Sequence, residues 1–221
     1  PGVSLGLLGI EPHTRRRNRL NGTVETMDAR GFTLAVQQSF GNCPKYIQAR
    51  APRWVAPQAT AAPVQHIAAL DAAARQLIAH ADTFYIASAH PAALAGGDPA
   101  DASAHGVDIS HRGGRPGFGR GGGEGPLMVP DFIGHGFFYT LGNLATHPRA
   151  GLLFIDFDTG DLLHVAATAE IVHDGPELAA FAGAQRLLKL RVHEALRRPA
   201  ALDLRWGAAG PSPFLAPTGL W

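Results

Sequence analysis

Residues 106 to 118 read Gly106-Val107-Asp108-Ile109-Ser110-His111-Arg112-Gly113-Gly114-Arg115-Pro116-Gly117-Phe118, a strand-like run that leads into a glycine-rich loop. The run brings a hydroxyl group, two guanidinium groups and backbone amides close together, and these are suitable donors for a phosphate dianion. The alternative is a hairpin tip whose arginines lie in water, and the spacing alone favours neither interpretation. Ser110, Arg112 and Arg115 are therefore candidate anion-binding residues.

A second dense basic cluster, Arg15-Arg16-Arg17-Asn18-Arg19, lies near the beginning of the sequence. In a β-strand Arg15, Arg17 and Arg19 share one face, because side chains alternate between the two faces. A solvated face is the usual explanation for such a run, and anion binding is the alternative. This cluster and residues 112–120 together hold seven of the nineteen basic residues. The basic charge is thus concentrated at two places.

The chain as a whole is nearly neutral, with 19 Lys and Arg against 18 Asp and Glu and a net charge of +1. This balance excludes a global field that would attract nucleic acid or an anionic membrane surface. No apolar run reaches the roughly 18 residues that a membrane-spanning helix needs. We therefore expect neither nucleic acid nor membrane as a partner, whereas the two clusters suggest a small anion.

Composition narrows the class of protein further. The 221 residues are 46% apolar, which excludes an intrinsically disordered chain. The 27 glycines and 17 prolines predict many turns and short elements. A single cysteine, Cys43, excludes an intrachain disulfide, so a cytoplasmic location is expected. The chain begins Pro1-Gly2-Val3 without a signal pattern, so it is either processed or a piece of a longer protein.

Hydrophobic periodicity predicts a mainly β fold with some helix. The expected strands are residues 3–10, 32–37, 82–88, 136–139, 150–156 and 162–172. The expected helices are 67–81, 140–148 and a short one that follows a turn within residues 40–50. Residues 178–190 are ambiguous between helix and strand. Residues 51–65 read as a linker, which divides the chain into a first unit, 1–65, and a second unit, 66–221.

The sequence contains one internal match, found by sliding it against itself by 145 positions. Gly6-Leu7-Leu8 falls on Gly151-Leu152-Leu153, Thr23 falls on Thr168, and both copies predict two strands joined by a turn. The match is either a chance likeness of two hairpins or a true repeat. In a true repeat the chain begins inside the first copy, whose partner strands are missing or are supplied by another chain.

Other chemical motifs are weak. Residues 117–122 match the dinucleotide pattern G-x-G-x-x-G, but Gly123-Glu124-Gly125-Pro126 is a poor helix start, so this site is not favoured. The Gly/Arg loop is also a short version of an RNA-binding RGG segment. The eleven histidines show no metal-ligand spacing, and Cys43 has no neighbouring histidine to activate it. We predict no metal site.

Several segments together resemble the pyridoxamine 5'-phosphate oxidase-like FMN-binding proteins. They are Thr83 to Ser88 (TFYIAS), Gly106 to Phe118, Pro130-Asp131-Phe132, Thr140 to Phe154, Arg16 to Glu25, which is similar to the pattern R-x-V-R-x-x-G-x-V-E, and Tyr46 to Pro52, which is similar to a Y-F-x-x-R-P helix. They cover most of residues 5 to 172, and the block around Ser110 is the most specific.

The resemblance implies a closed antiparallel split β-barrel with FMN at the junction of two barrel units. By motif position, Ser110, His111, Arg112 and Arg115 belong to the phosphate-side strand, and Thr140 and Asn143 lie where a helix start approaches the flavin. Arg17 and Arg19 come from the other unit. Two tandem units, the first truncated at its N-terminus, would act as an internal counterpart of a homodimer.

The sequence also departs from the family pattern. The usual G-N after P-D-F is Gly134-His135 here, and residues 119–125 replace a longer hairpin. The substrate-binding motifs of the true oxidases are absent near the C-terminus, so catalytic residues are not assigned. The resemblance therefore predicts an FMN-dependent oxidoreductase of unknown substrate. The alternative is a non-catalytic flavin- or ligand-binding module that docks to a fused or separate reductase. FMN, another flavin and haem stay open as the bound group.

Overall fold

A computed structural model describes residues 1–41, 43–58, 62–95, 105–123, 125–134 and 139–220. Its strands are β1 (Ser4–Glu11), β2 (Arg16–Asp28), β3 (Gly31–Gly41), β4 (Pro52–Trp54), β5 (Gln65–Ile67), β6 (Thr83–Ala89), β7 (Val107–Gly113), β8 (Arg120–Gly121), β9 (Leu127–Phe132), β10 (Arg149–Ile155), β11 (Leu162–Val172), β12 (Ala184–Arg198) and β13 (Leu204–Trp206). Its α-helices are α1 (Ala72–His80), α2 (Pro91–Leu94), α3 (Tyr139–Thr146) and α4 (Pro176–Ala179). The prediction of a mainly β fold with some helix is confirmed.

The largest sheet has the strand order β7-β6-β10-β11-β12-β9-β8, and β5 also pairs with β12. Strands β1, β2 and β3 form a separate sheet, and β4 pairs with β13. Among the described residues no ladder joins the end strands β7 and β8, so the sheet is not closed as the resemblance implied. An ion pair spans this gap instead, between Arg112 of the end strand β7 and Asp131 of β9, the strand next to β8.

Alternation along the strands gives the large sheet two different faces. Ala150, Leu152 and Phe154 of β10 are buried, whereas Gly151 between them is exposed. We call the face that carries Leu152 the inner face and the opposite one the outer face. The inner face packs the core, in which each buried large apolar side chain contributes about 1.5–3 kcal/mol.

Two helices fix the ends of the core strands. Helix α1 begins after Asp71, whose carboxylate accepts a hydrogen bond from the amide of Ala74 at 2.8 Å. It buries Ala74 and Ile78 but is shorter than predicted, because Ile67 lies in β5. Helix α3 agrees with the predicted helix and ends before Pro148, whose ring disfavours helix at the preceding residue.

Two local predictions need correction. The short helix expected at Tyr46 to Arg50 is wrong: Tyr46 has a φ of 63°, and Ala49 forms a bridge with Gly210. Long-range bonds override the local propensity here, since the Gln48 amide donates to the Gly114 carbonyl at 3.2 Å. The expected strand 136–139 is wrong at Tyr139, which begins α3, and its other residues lie outside the described part, as does His135. The ambiguous segment 178–190 begins at the end of α4 and continues into β12.

The two hairpins of the internal match have the same pairing register. Ser4 pairs with Thr23 in the first hairpin and Arg149 pairs with Thr168 in the second, and a shift of 145 positions relates both partners. The three-stranded sheet packs against β7, where a Cβ atom added to Gly6 would lie 3.5 Å from Ile109. The register supports a repeat. The tandem arrangement, the N-terminal truncation and the division at residue 65 stay predictions.

Candidate anion-binding site

Strand β7 carries the residues that the sequence motifs single out, but it divides them between two faces. Ser110 pairs with Ile86 and Arg112 pairs with Phe84, so both point to the inner face with the core. His111 points to the outer face, because neighbouring side chains of a strand alternate. Ser110, His111 and Arg112 therefore do not form one surface.

A buried carboxylate, Asp108, joins three elements at the inner face of β7. It forms an ion pair with Arg19 of β2 and accepts a hydrogen bond from the Thr140 hydroxyl of α3. The guanidinium of Arg19 also lies 4.5 Å from the centre of the Phe40 ring. Arg19, Asp108 and Thr140 are all at most 5% exposed. This ion pair, with the Thr140 hydrogen bond, brings two of the predicted site residues together.

Asn143 lies one helical turn after Thr140 and fastens α3 to the neighbouring strand. Its side-chain amide donates to the Ser88 hydroxyl at 3.3 Å and to the Gly106 carbonyl at 3.2 Å. Since Ser88 pairs with Asp108 across β6 and β7, Asn143 belongs to the same buried region.

A second buried ion pair holds Arg112. Its guanidinium pairs with Asp131 of β9, and the other carboxylate oxygen of Asp131 lies 3.6 Å from Arg186. Arg112 and Asp131 are at most 4% exposed. Asp131 thus fixes the position of Arg112 between β7 and β9.

Arg17, Arg19 and Arg112, with the carboxylates of Asp108 and Asp131, form what we call the arginine cluster. Arg17 is its cationic residue without a carboxylate partner. It is 7% exposed, its Nη1 donates to the His111 carbonyl at 3.3 Å, and no carboxylate of the described residues forms an ion pair with it. Burial, together with the nearby charges of Arg19 and Arg112, lowers the pKa of Arg17 to about 10. Arg17 therefore stays protonated at neutral pH, and a buried charge without a counter-ion is energetically costly.

The cluster also holds buried donors without acceptors. Within the described part of the chain, the Nε atoms of Arg17, Arg19 and Arg112 have no hydrogen-bond partner. These three guanidinium groups lie among two carboxylates, Asp108 and Asp131. A phosphate dianion would supply both the missing acceptors and the missing negative charge, so the donor set fits such a group.

Arg115 lies in a different place from the other predicted residues. Its Nε donates to the Thr218 carbonyl at 3.1 Å, and its Nη2 donates to the Leu215 carbonyl at 3.2 Å. It therefore holds the C-terminal segment against the loop that follows β7. The structure does not bring Arg115 into the cluster of Arg17, Arg19 and Arg112.

Sequence reasoning missed the two carboxylates that organise the cluster. Asp108 and Asp131 are both quoted in the family-like segments, but neither was assigned a role. The sequence did contain a signal for them, because each is an acidic residue that lies between two apolar residues of a strand. Acidic residues are almost never fully buried unless they are paired.

His111 contributes a pH dependence to folding. Burial, with the charges of Arg17, Arg112 and Arg50, lowers the pKa of His111 well below 6.5. Below pH 6.5 the unfolded chain takes up a proton at His111 that the folded chain does not. As the pH decreases below 6.5, the contribution of His111 should therefore lower the free energy of unfolding by up to about 1.4 kcal/mol for each pH unit.

Urea unfolding at pH 7.5, 6.5 and 5.5 tests this expectation. The variant His111→Gln should lose part of the slope between pH 6.5 and 5.5, whatever its stability at pH 7.5. His173→Gln, at an exposed histidine, serves as the matched control and should keep the slope of the wild type. Identical slopes for wild type and His111→Gln would contradict the assignment.

Comparison with known proteins gives matches among solved structures alone. No family model matches the chain, and no curated protein sequence matches it. The H111A variant of HupZ from Group A Streptococcus is 11% identical with a TM-score of 0.43, covering 58% of this chain and 98% of its own. A "putative pyridoxamine 5'-phosphate oxidase" of Lactobacillus delbrueckii is 17% identical with a TM-score of 0.41, covering 57% and 93%. One similar structure thus carries the name of the family that the motifs resemble.

A third similar structure is HutZ, described as the heme storage protein of Vibrio cholerae. It is 12% identical with a TM-score of 0.39, covering 59% of this chain and 95% of its own. Among the described residues of the present chain, no helix is long and apolar enough to cross a membrane. Nor do three His, Cys, Asp or Glu side chains of that part gather where they could hold a metal ion.

Proposed function

We propose that this chain binds FMN and transfers hydride or electrons through the flavin. The observation that carries the proposal is the set of three buried guanidinium Nε groups without acceptors, at Arg17, Arg19 and Arg112. The resemblance of the segments around Ser110 to FMN-binding proteins supports it independently. Arg17, Arg19 and Arg112 would hold the phosphate, and Thr140 and Asn143 would lie on the side of the flavin.

The protein residues of the site bind and orient. Asp108 holds Arg19 and Thr140 in place, and Asp131 holds Arg112. A bound flavin would supply the redox chemistry at its N5 atom, which needs no general base from the protein. This division of roles agrees with a cluster that offers cations and positioning carboxylates rather than an acid/base pair.

Arg17→Met is expected to weaken FMN binding about 10- to 100-fold, because a charge-assisted contact is worth roughly 1.5–3 kcal/mol. Riboflavin, which lacks the phosphate, should bind wild type and variant equally. The fold should survive, since the substitution removes a buried charge that has no carboxylate partner. Quenching of flavin fluorescence measures both affinities, and urea unfolding measures the stability.

Arg30→Gln, at an exposed arginine in the turn after β2, is the matched control and should leave both affinities unchanged. No saturable binding of FMN to the wild type would overturn the proposal. An equal loss of FMN and riboflavin affinity in Arg17→Met would also contradict the assignment of Arg17 to the phosphate.

A second candidate function is binding without turnover, of a flavin or of heme, the group that HutZ stores. It is favoured by the fact that the two carboxylates of the site, Asp108 and Asp131, are already paired with Arg19 and Arg112, an arrangement that serves positioning rather than proton transfer to a substrate. Anaerobic mixing of the FMN-loaded protein with NADH or NADPH separates the two functions. Loss of the oxidised flavin absorbance supports the oxidoreductase, whereas an unchanged spectrum with retained FMN supports the binding module. A Soret band shift with added hemin would favour heme instead.

A further inference from the structure

The outer face of the large sheet carries an ordered pattern of side chains that the proposed FMN site does not use. Three consecutive rows cross β10, β11 and β12 on this face: Leu153-His164-Leu196, Gly151-Ala166-Glu194 and Arg149-Thr168-Arg191. Residues directly opposite one another in paired strands point to the same face. The rows therefore lie side by side, two of them mainly apolar and the third cationic.

The apolar rows form the floor of a groove. Two neighbouring hollows of about 520 Å³ each meet at Ala87, Ile109 and Gly151. Because Gly151 has no side chain and Ala87 has one methyl group, the floor is low at this point. Tyr85 and Leu153 line one hollow, and Leu5 of β1 lines the other. A flat apolar group would find contacts on the floor and at both sides.

The cationic row lies beside the groove: Arg149 lines one of its two hollows, whereas Thr168 and Arg191 line a separate hollow next to it. Arg149 and Arg191 are exposed and stand on either side of Thr168, whose hydroxyl lies 2.6 Å from the Nε2 atom of His193. Within the described residues neither arginine forms an ion pair. Strands two apart are separated by about 9.5 Å, a span that two long arginine side chains close from both sides. One anionic group above Thr168 could accept hydrogen bonds from both.

We infer that this outer face binds a small amphipathic anion, with a flat apolar body on Ala87, Gly151 and Ala166 and one anionic head at Arg149 and Arg191. The charge pattern selects this ligand class. A neutral apolar molecule gains no contact with the two exposed guanidinium groups, and a highly charged one cannot bury itself on the apolar rows. Glu194, at the far end of the middle row, disfavours a second anionic group there. The site shares no residue with Arg17, Arg19 or Arg112.

Two fluorescent probes of nearly equal shape test the inference. The sulfonate 8-anilinonaphthalene-1-sulfonate has a flat apolar body and one negative charge, and N-phenyl-1-naphthylamine lacks the charge. Arg149→Gln and Arg191→Gln should each weaken binding of the sulfonate about tenfold or more. Binding of the neutral probe should not change. Arg30→Gln is the matched control for loss of an exposed arginine.

Gly151→Ile tests the groove itself. A Cβ atom at this position would lie 3.8 Å from the Cβ of Ala87, an ordinary contact, so the strand should keep its structure. The larger side chain should fill the floor and weaken both probes about tenfold or more, while circular dichroism stays as in the wild type and the free energy of unfolding in urea is not lowered.

Unchanged affinity for the sulfonate in Gly151→Ile and in both arginine variants would overturn the inference. Light scattering measures the oligomeric state of the same variants and tests whether the face is instead a contact between copies of the chain. If Gly151→Ile alters the oligomeric state and leaves both probe affinities unchanged, the face is a contact between copies of the chain and the inference is wrong. The FMN titration of the same variants should be unaffected, so failure here is distinguishable from failure of the proposed FMN site.

Discussion

Asp108→Ala is expected to lower the free energy of unfolding by about 3–5 kcal/mol, the usual cost of removing one partner of a buried ion pair. The substitution leaves the Arg19 guanidinium almost fully buried without its carboxylate. Burial already lowers the pKa of Arg19 against the opposing effect of Asp108. The Thr140 hydroxyl loses its acceptor in the same step, so the attachment of α3 to β7 weakens as well. Urea unfolding of the purified variant at pH 7.5 measures the loss.

A second substitution tests whether the unpaired charge of Arg19 causes this loss of stability. Arg19→Met in the Asp108→Ala background removes the stranded charge and should restore a large part of the stability, since an apolar replacement of a buried pair is often nearly neutral. Asp174→Ala, at an exposed aspartate, should change the free energy of unfolding by less than about 0.5 kcal/mol. If the double variant is no more stable than Asp108→Ala, the ion pair is not the cause.

The parts of the fold that sequence reasoning predicted are those specified by local patterns. Strand β10 is a short apolar run, β11 alternates apolar and polar residues, and a short turn joins them; the structure has both strands within one or two residues of the expected ends. Helix α3 has a proline just beyond it that limits where the helix can end. Periodicity of this kind depends on neighbouring residues alone, so a single sequence contains it.

The parts that could not be predicted depend on partners far away in the chain. Tyr46 to Arg50 has a helix-like composition, yet contacts to Gly114 and Gly210 decide its conformation. Closure of the barrel failed as a prediction for the same reason. Whether strands at opposite ends of a sheet pair is a property of its curvature and is not encoded in the strands themselves.

The candidate site shows the same limit at the level of charges. Arg112 and Arg115 look equivalent in sequence, three residues apart in one motif. Arg112 meets a carboxylate of β9, whereas Arg115 meets carbonyl groups of the C-terminal segment. No local pattern distinguishes them, because the partner of each is brought by a different element.

Gly113→Ala is expected to destabilise the protein by about 3 kcal/mol, the upper end of the usual cost of overpacking a buried site. A Cβ atom at Gly113 would lie 2.0 Å from the Tyr46 carbonyl oxygen and 2.8 Å from Cε1 of His111. The backbone of Tyr46 cannot easily move away from Gly113, because hydrogen bonds hold this residue at both its side chain and its carbonyl group. Its hydroxyl donates to the Ile133 carbonyl at 2.8 Å, and its own carbonyl accepts from Gln48 at 3.1 Å.

Gly151→Ala is the matched control, because it adds the same methyl group to a strand of the same sheet. Its Cβ would lie 3.8 Å from the nearest atom, so it should be neutral or add up to about 1 kcal/mol through the better strand propensity of alanine. Urea unfolding compares the two variants, and FMN titration should show weaker binding in Gly113→Ala, since β7 also positions Arg112. Equal unfolding midpoints would mean that Tyr46 is not packed against β7. A loss of stability confined to Gly113→Ala would show that the close approach of the Tyr46 and Gly113 backbones helps to hold the segment around Tyr46 against the large sheet.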